Sequence, residues 1–299
     1  MIRSVSTDSR VAPPLIVILG ETATGKSALA VELAGRIGGE IICADSRTVY
    51  KGMDIGTAKP SADDMRQVRH YGLDLIEPDQ HFTVADFKTY AQDTIYEITS
   101  RDKVPIMVGG SGLYIDSVIF DYQFRQSADT RLRQELNKLS VEELQVRLAA
   151  LGLELPENSR NPRHLIRTIE TGGQVPESSE LRPNTMVLGL SLDHEELHLR
   201  ISQRVEAMVA AGLIEETKWL SQAYGWDAEA LQAPGYKAIR SYLEGTNSLE
   251  EAKAEFIHND MQLAKRQRTW FRRNKSIHWL LTEDKLAEAV DYATTFLYK

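Results

Sequence analysis

The chain has 299 residues, 42% of them apolar and 26% charged, with a formal net charge of −8. That apolar fraction supports a large buried core and excludes a disordered chain, and the length allows one large domain or a core with a small second one. The single cysteine, Cys43, excludes an intramolecular disulfide and fits a reducing cytosol, and no apolar run approaches the roughly 18 residues of a membrane span.

Residues 1–13 lack the apolar segment of a signal peptide, so a cytoplasmic location is expected. The first element predicted is a strand, the continuous apolar run Leu15-Ile16-Val17-Ile18-Leu19, suited to a sheet covered on both faces. Gly20-Glu21-Thr22-Ala23-Thr24-Gly25-Lys26-Ser27 follows, and after it a helical stretch over residues 28–34. Further buried strands are expected at residues 40–44, 104–108 and 186–190. The first of these ends in Asp45-Ser46, the second in Gly109-Gly110-Ser111-Gly112. Strands alternating with helices predict an α/β fold, a parallel P-loop sheet flanked by helices. Between the third and fourth strands lie charged amphipathic stretches and loops rich in Pro, Asn and Gly. They predict a small all-helical insert at 125–185 in a core made of 1–124 and 186–299.

The segment from Gly20 to Ser27 has the spacing of a phosphate-binding P-loop. Its glycines let backbone N–H groups and a helix N-terminus close around phosphate oxygens, Lys26 adds a positive charge, and Ser27 offers a hydroxyl to Mg²⁺. A P-loop names a diphosphate or triphosphate but not a reaction. Enzymes that move a phosphoryl group commonly hold Mg²⁺ with an acid at the end of another buried strand. The strand at 104–108 ends in glycines instead, while Asp45 ends the strand directly after the P-loop helix. Ligand chemistry in open parallel sheets gathers at the carboxyl ends of strands, which places Asp45 beside the phosphate site. A turn or cap role for Asp45 also fits its type.

Residues 45–60, Asp45-Ser46-Arg47-Thr48-Val49-Tyr50-Lys51-Gly52-Met53-Asp54-Ile55-Gly56-Thr57-Ala58-Lys59-Pro60, resemble the signature of the tRNA dimethylallyltransferases. Further matches occur in order at 85–87, 109–114, 197–204, 235–237 and 263–272, so the resemblance runs from about Leu15 to Leu280. It implies transfer of a dimethylallyl group from dimethylallyl pyrophosphate to N6 of the adenosine 3′ of the anticodon. The P-loop would then hold a pyrophosphate that leaves as a unit, through Gly20, Thr22, Ala23, Thr24, Gly25, Lys26 and Ser27, with Mg²⁺ on Ser27. Arg204 matches the family's arginine on the departing pyrophosphate, although two arginines at i, i+4 (Arg200 and Arg204) also describe a solvated helix face. Asp45 matches the acid that orients the adenine amine and accepts its proton.

Chemistry on a base requires the adenine to leave its stack. The resemblance places Asp45, Ser46, Arg47, Thr48 and Ser111 around the target nucleotide. Tyr50 and Tyr114 suit stacking or core packing alike. Six Lys or Arg residues and no acid lie between Lys265 and Lys275, with Trp270 and Phe271 among them. Such a block suits phosphate contact and base stacking, or else a basic helix face with its tryptophan in the core. Lys265, Arg266, Arg268, Arg272 and Lys237 are assigned to the tRNA anticodon stem-loop, together with Arg133, Arg163 and Arg167 in the insert. The net charge of −8, which by itself counts against nucleic acid, is thus an average over unlike surfaces.

The sequence departs from the family pattern at several places. Glu21 stands where proline is usual, and an acid beside a pyrophosphate is unfavourable unless its side chain points away. Thr48 replaces a common glutamine, His164 replaces the first tRNA-contacting arginine, and Ser27 and Ser111 stand where threonine is frequent. The seven histidines show no metal-ligand spacing, so no zinc site is expected. Trp219, Trp226 and Trp279 are expected in the core, and a monomer is expected. The rival readings are an adenine-nucleotide dimethylallyltransferase, which needs no anticodon clamp, a P-loop kinase, and an RNA-binding protein with a relict P-loop.

Overall fold

The computed structural model describes residues 12–123, 130–173 and 180–298. The N-terminal stretch read above and parts of the expected insert loops lie outside these residues. The order of elements is β1 (Leu15–Gly20), α1 (Lys26–Ile37), β2 (Gly39–Cys43), α2 (Ala62–Gln67), β3 (His70–Tyr71), α3 (Val84–Thr99), β4 (Val104–Gly109) and α4 (Gly112–Ile119). Then come α5 (Thr130–Leu136), α6 (Val141–Ala150), α7 (Pro162–Thr171), β5 (Thr185–Leu190), α8 (His194–Ala210), α9 (Leu213–Tyr224) and a 3₁₀ turn at Glu229–Gln232. The chain closes with α10 (Pro234–Leu243), α11 (Leu249–Phe271), β6 (Ile277–Trp279) and α12 (Lys285–Leu297).

The six strands form one parallel sheet in the order β3-β2-β4-β1-β5-β6. Each apolar strand feeds both faces, because successive side chains alternate. Ile16 and Ile18 of β1 join Leu29 and Leu33 of α1 and Ala289 and Ala293 of α12 on one side. Leu15, Val17 and Leu19 join Phe87, Ala91 and Ile95 of α3 and Ile115 and Val118 of α4 on the other. A third apolar cluster, including Val49, Tyr50, Met53, Val205, Leu213, Tyr236 and Phe256, packs the segment after β2 against α8 to α11. Several helix starts are capped by their own sequences. Ser61, Thr83, Ser140 and Ser248 each accept the N–H three residues on, and an acid there reaches back.

The chain divides into two compact units, with the second comprising residues 121–180. This unit is helical and has its own core of Leu136, Leu144, Leu148, Leu165, Ile166 and Ile169. Its boundaries fall a few residues before the expected 125–185. Leu181 packs with the sheet, and the Arg182 N–H donates to the Ile119 carbonyl at 2.7 Å. The strands at β3 and β6 were not expected; they are only two and three residues long. Trp219 is the one expected core tryptophan that is out of place: it is exposed and lies against Gly52. Trp279 packs at the edge of the sheet cluster and Trp226 beside the third cluster, under the Arg240 guanidinium. Cys43 is buried in β2, and Tyr50 and Tyr114 are buried in the core, Tyr114 stacked on Phe87 at 4.3 Å.

Candidate active site

β1 runs into the phosphate loop and α1 begins at Lys26, directly after Gly25. The loop closes through two left-handed residues, Gly25 at φ 89° and Ala23 at φ 62°. Left-handed backbone costs a residue with a Cβ about 1–3 kcal/mol, so the surroundings must hold Ala23 there. No side chain caps the N-terminus of α1, which leaves its N–H groups directed at any anion in the loop.

The loop is held by side chains from distant parts of the chain. The Thr22 N–H donates to Gln267 Oε1 at 2.8 Å, and Gln267 Nε2 donates to the Gly110 carbonyl at 3.1 Å. Arg204 Nη1 donates to Thr22 Oγ1. Lys26 Nζ and Thr24 Oγ1 both donate to the Glu21 carbonyl. Burial, and then the neighbouring Arg204 charge, pull the Lys26 ammonium down to about 8. Thr24 is buried and its hydroxyl turns inward to the Glu21 carbonyl, whereas Ser27 is exposed. The Glu21 side chain does point away: it is buried and meets the Arg268 guanidinium with both oxygens.

β4 lies between β1 and β2 in the sheet, and it is followed by Gly110 and Ser111. Gly109 and Gly110 carry no side chain into the space between the phosphate loop and Asp45. A Cβ at Gly109 would collide with the Ala44 carbonyl, and one at Gly110 with the Gln267 amide. Asp45 Oδ1 accepts the Arg47 N–H at 2.8 Å, so the turn role open to it is filled by one oxygen. Ser111 Oγ accepts the Ser46 N–H at 3.0 Å and fixes the turn after β2 against the turn after β4.

These residues line a cavity of about 950 Å³. Thr22, Ala23, Gly25, Lys26 and Ser27 form its phosphate end, with Arg200 and Arg204 from α8 above them. Asp45, Ser46, Arg47, Thr48 and Ser111 line another part, and Arg266 and Trp270 of α11 also reach it. Gly20 and Thr24, expected at the pyrophosphate, are not among the residues that line the cavity. Asp260 and Gln267 were not singled out in the sequence, because single polar residues on a long amphipathic helix carry no motif of their own. Asp260 is buried, its Oδ2 has no hydrogen-bond partner, and the same holds for Arg204 Nε in the same cavity. Burial pushes the Asp260 carboxyl up, while Arg204 opposes that shift.

The basic block divides in three. Lys265, Arg266 and Arg272 are exposed, as is Lys237 on α10. Arg268, expected at tRNA, turns inward to Glu21 and to the Leu192 carbonyl at 2.9 Å. Phe271, expected among the stacking aromatics, is buried, and Trp270 donates its indole N–H to Asp116 at 2.7 Å while one side faces the cavity. In the helical unit, Arg163 is exposed. Arg133 and Arg167 flank the buried Glu170 carboxylate at 3.2 and 3.7 Å. Among the described residues no group of three His, Cys, Asp or Glu could hold a metal ion, and no helix is long and apolar enough to cross a membrane.

The IPP transferase family model matches residues 48–274. A tRNA dimethylallyltransferase of Anoxybacillus flavithermus is 41% identical over 287 residues, covering 92% of each chain. One from Pelotomaculum thermopropionicum is 42% identical over 287 residues, covering 91% of each. The crystal structure of the tRNA isopentenylpyrophosphate transferase of Bacillus halodurans superposes with a TM-score of 0.75 at 36% identity, covering 96% of this chain and 97% of that one. A eukaryotic dimethylallyltransferase shares the fold at TM-score 0.80 and 22% identity, over 96% of this chain and 80% of its own. With most of its length matched in sequence and in fold, the chain belongs to the tRNA dimethylallyltransferase family, the IPP transferases.

Proposed function

We propose that the chain transfers a dimethylallyl group from dimethylallyl pyrophosphate to N6 of the adenosine 3′ of the anticodon, position 37 of tRNA. One observation carries this reading: a phosphate loop and the Asp45 carboxylate share a cavity, and the strand between theirs, β4, ends in Gly109 and Gly110, which put no side chain into that space. That geometry suits an anionic leaving group at one end and a proton acceptor at the other.

In the reaction the allylic C–O bond breaks, and the pyrophosphate leaves with the electron pair. N6 forms the new C–N bond to the allylic carbon, and its proton passes to Asp45. The Lys26 ammonium, the Arg204 guanidinium and the N–H groups at the start of α1 meet the charge that grows on the departing oxygens. Asp45 Oδ1 is occupied by the Arg47 N–H, which turns the carboxylate and leaves Oδ2 for the adenine amine. Ser46, Arg47, Thr48 and Ser111 surround the extruded base. The exposed Ser27 hydroxyl would hold a Mg²⁺ ion, and the ion would supply further charge neutralisation at this end of the cavity.

Lys237, Lys265, Arg266 and Arg272 then meet the tRNA backbone, and the helical unit contributes Arg133, Arg163 and Arg167. We further place the enzyme in the cytoplasm as a monomer. The test is incubation with Mg²⁺, dimethylallyl pyrophosphate and unmodified tRNA, followed by nucleoside mass spectrometry. Prenylation of the adenosine at position 37 is expected. Prenylation of AMP but not of tRNA, or ATP turnover without prenyl transfer, overturns the reading.

A further inference from the structure

Glu21 is an acid inside the phosphate loop, yet only 1% of it is exposed. Its Oε1 and Oε2 meet Arg268 Nε and Nη2, the second at 2.9 Å, and Oε1 also accepts from Ser191 Oγ at 3.3 Å. Arg268 is fastened in turn to the Leu192 carbonyl, just beyond β5. The preceding helix residue, Gln267, holds the Thr22 N–H. Two consecutive residues of α11 thus hold two consecutive residues of the loop. The Glu21 carbonyl, set by this arrangement, is where Lys26 and Thr24 donate.

We infer that Arg268 is a positioning residue for the phosphate loop: it holds Glu21, and through the Glu21 carbonyl it sets where Lys26 rests. The inference rests on the loop being the pyrophosphate site. A bidentate guanidinium both cancels the Glu21 charge and fixes its direction. Without it, a buried carboxylate stands unpaired beside the site of a pyrophosphate. It must then draw Lys26 toward itself or turn to solvent and carry the loop with it. Either way pyrophosphate binding weakens. If the carboxylate is removed as well, the charge to be cancelled is gone and the loop regains its place.

The experiment measures inorganic pyrophosphate binding by calorimetry, KM for dimethylallyl pyrophosphate and Kd for tRNA, with thermal unfolding as a check on folding. The proteins are the native chain, Arg268→Gln, Arg268→Lys, Glu21→Gln and the double variant Glu21→Gln/Arg268→Gln. Arg268→Gln is expected to weaken pyrophosphate about tenfold or more, with tRNA Kd within about twofold. Arg268→Lys keeps the charge without the planar fork and serves as a folded control with a smaller loss. The double variant is expected to recover most of the lost affinity. A double variant no better than Arg268→Gln, or a loss confined to tRNA binding, overturns the inference. A native chain that binds no pyrophosphate overturns the site itself, before any variant is compared.

Discussion

Arg204 Nη1 donates to the Thr22 hydroxyl, joining α8 to the phosphate loop across 182 residues of sequence. The same guanidinium keeps its Nε–H buried without a partner, and Asp260 Oδ2 is unpartnered in the same cavity. A buried donor left unmade costs about 1–3 kcal/mol, so the site is arranged for a ligand rather than for the stability of the empty chain.

Removal of this guanidinium should therefore be felt in the chemical step. Arg204→Ala is expected to lower single-turnover transfer by about 10²–10³-fold, the range for one lost donor to a developing anion. Arg204→Lys should recover only part, since a point charge cannot hold Thr22 and the pyrophosphate with a rigid fork. Rapid-quench kinetics with tRNA in excess read this directly. A variant changed only in tRNA affinity would place Arg204 on the nucleic acid instead.

Asp45→Asn separates the two roles of that side chain. The amide oxygen can still accept the Arg47 N–H and keep the turn, but the group no longer takes a proton. Transfer is expected to fall by about 10²–10⁴-fold with tRNA affinity retained. Parallel loss of tRNA binding, measured by filter retention, would make Asp45 a structural residue.

The site was legible where its parts are local. The run Leu15 to Leu19, the glycines and Lys26 are contiguous, so the strand, the loop and the start of α1 can be read from neighbouring residues. Asp45 followed from its place at the end of an apolar run. The partners of those residues were not legible. Glu21 and Arg268 lie 247 residues apart, and nothing in either segment names the other. The same holds for β3 and β6, whose short runs become strands only because β2 and β5 offer edges to pair with. Trp219 failed as a core residue for a related reason. Its side is decided by the segment around Gly52, far away in the sequence.

Glu216 fastens the loop at residues 54–56, which follows Tyr50. Its two oxygens accept the N–H groups of Asp54, Ile55 and Gly56 at 2.8–2.9 Å and the Tyr236 hydroxyl at 2.7 Å. Gly56, Thr57 and Ala58 line the cavity, so the carboxylate shapes one wall without touching it. Glu216→Ala leaves three backbone donors and a buried hydroxyl without an acceptor, and a loss of about 2–4 kcal/mol is expected by urea unfolding. Tyr236→Phe removes one bond only and should cost about 1 kcal/mol. Equal losses for the two would show that Glu216 acts through Tyr236 alone.

The last prediction concerns pH. Burial pushes the Asp116 carboxyl up from 3.8 to about 6, against the opposing pull of the Trp270 N–H and the Arg273 charge. Between those two values the folded chain holds a proton that the unfolded chain has released, so this group's contribution to stability rises as pH falls from above 6 to below 4. Above pH 6 the folded state carries a poorly solvated charge. Asp116→Asn keeps an acceptor for the Trp270 indole and removes that charge. The variant is therefore expected to be more stable than the native chain at pH 8, by about 1–3 kcal/mol. The difference should shrink through pH 6 and vanish near pH 4, as urea unfolding at each pH will show. A gap that stays constant over that range would mean that Asp116 is not the titrating group.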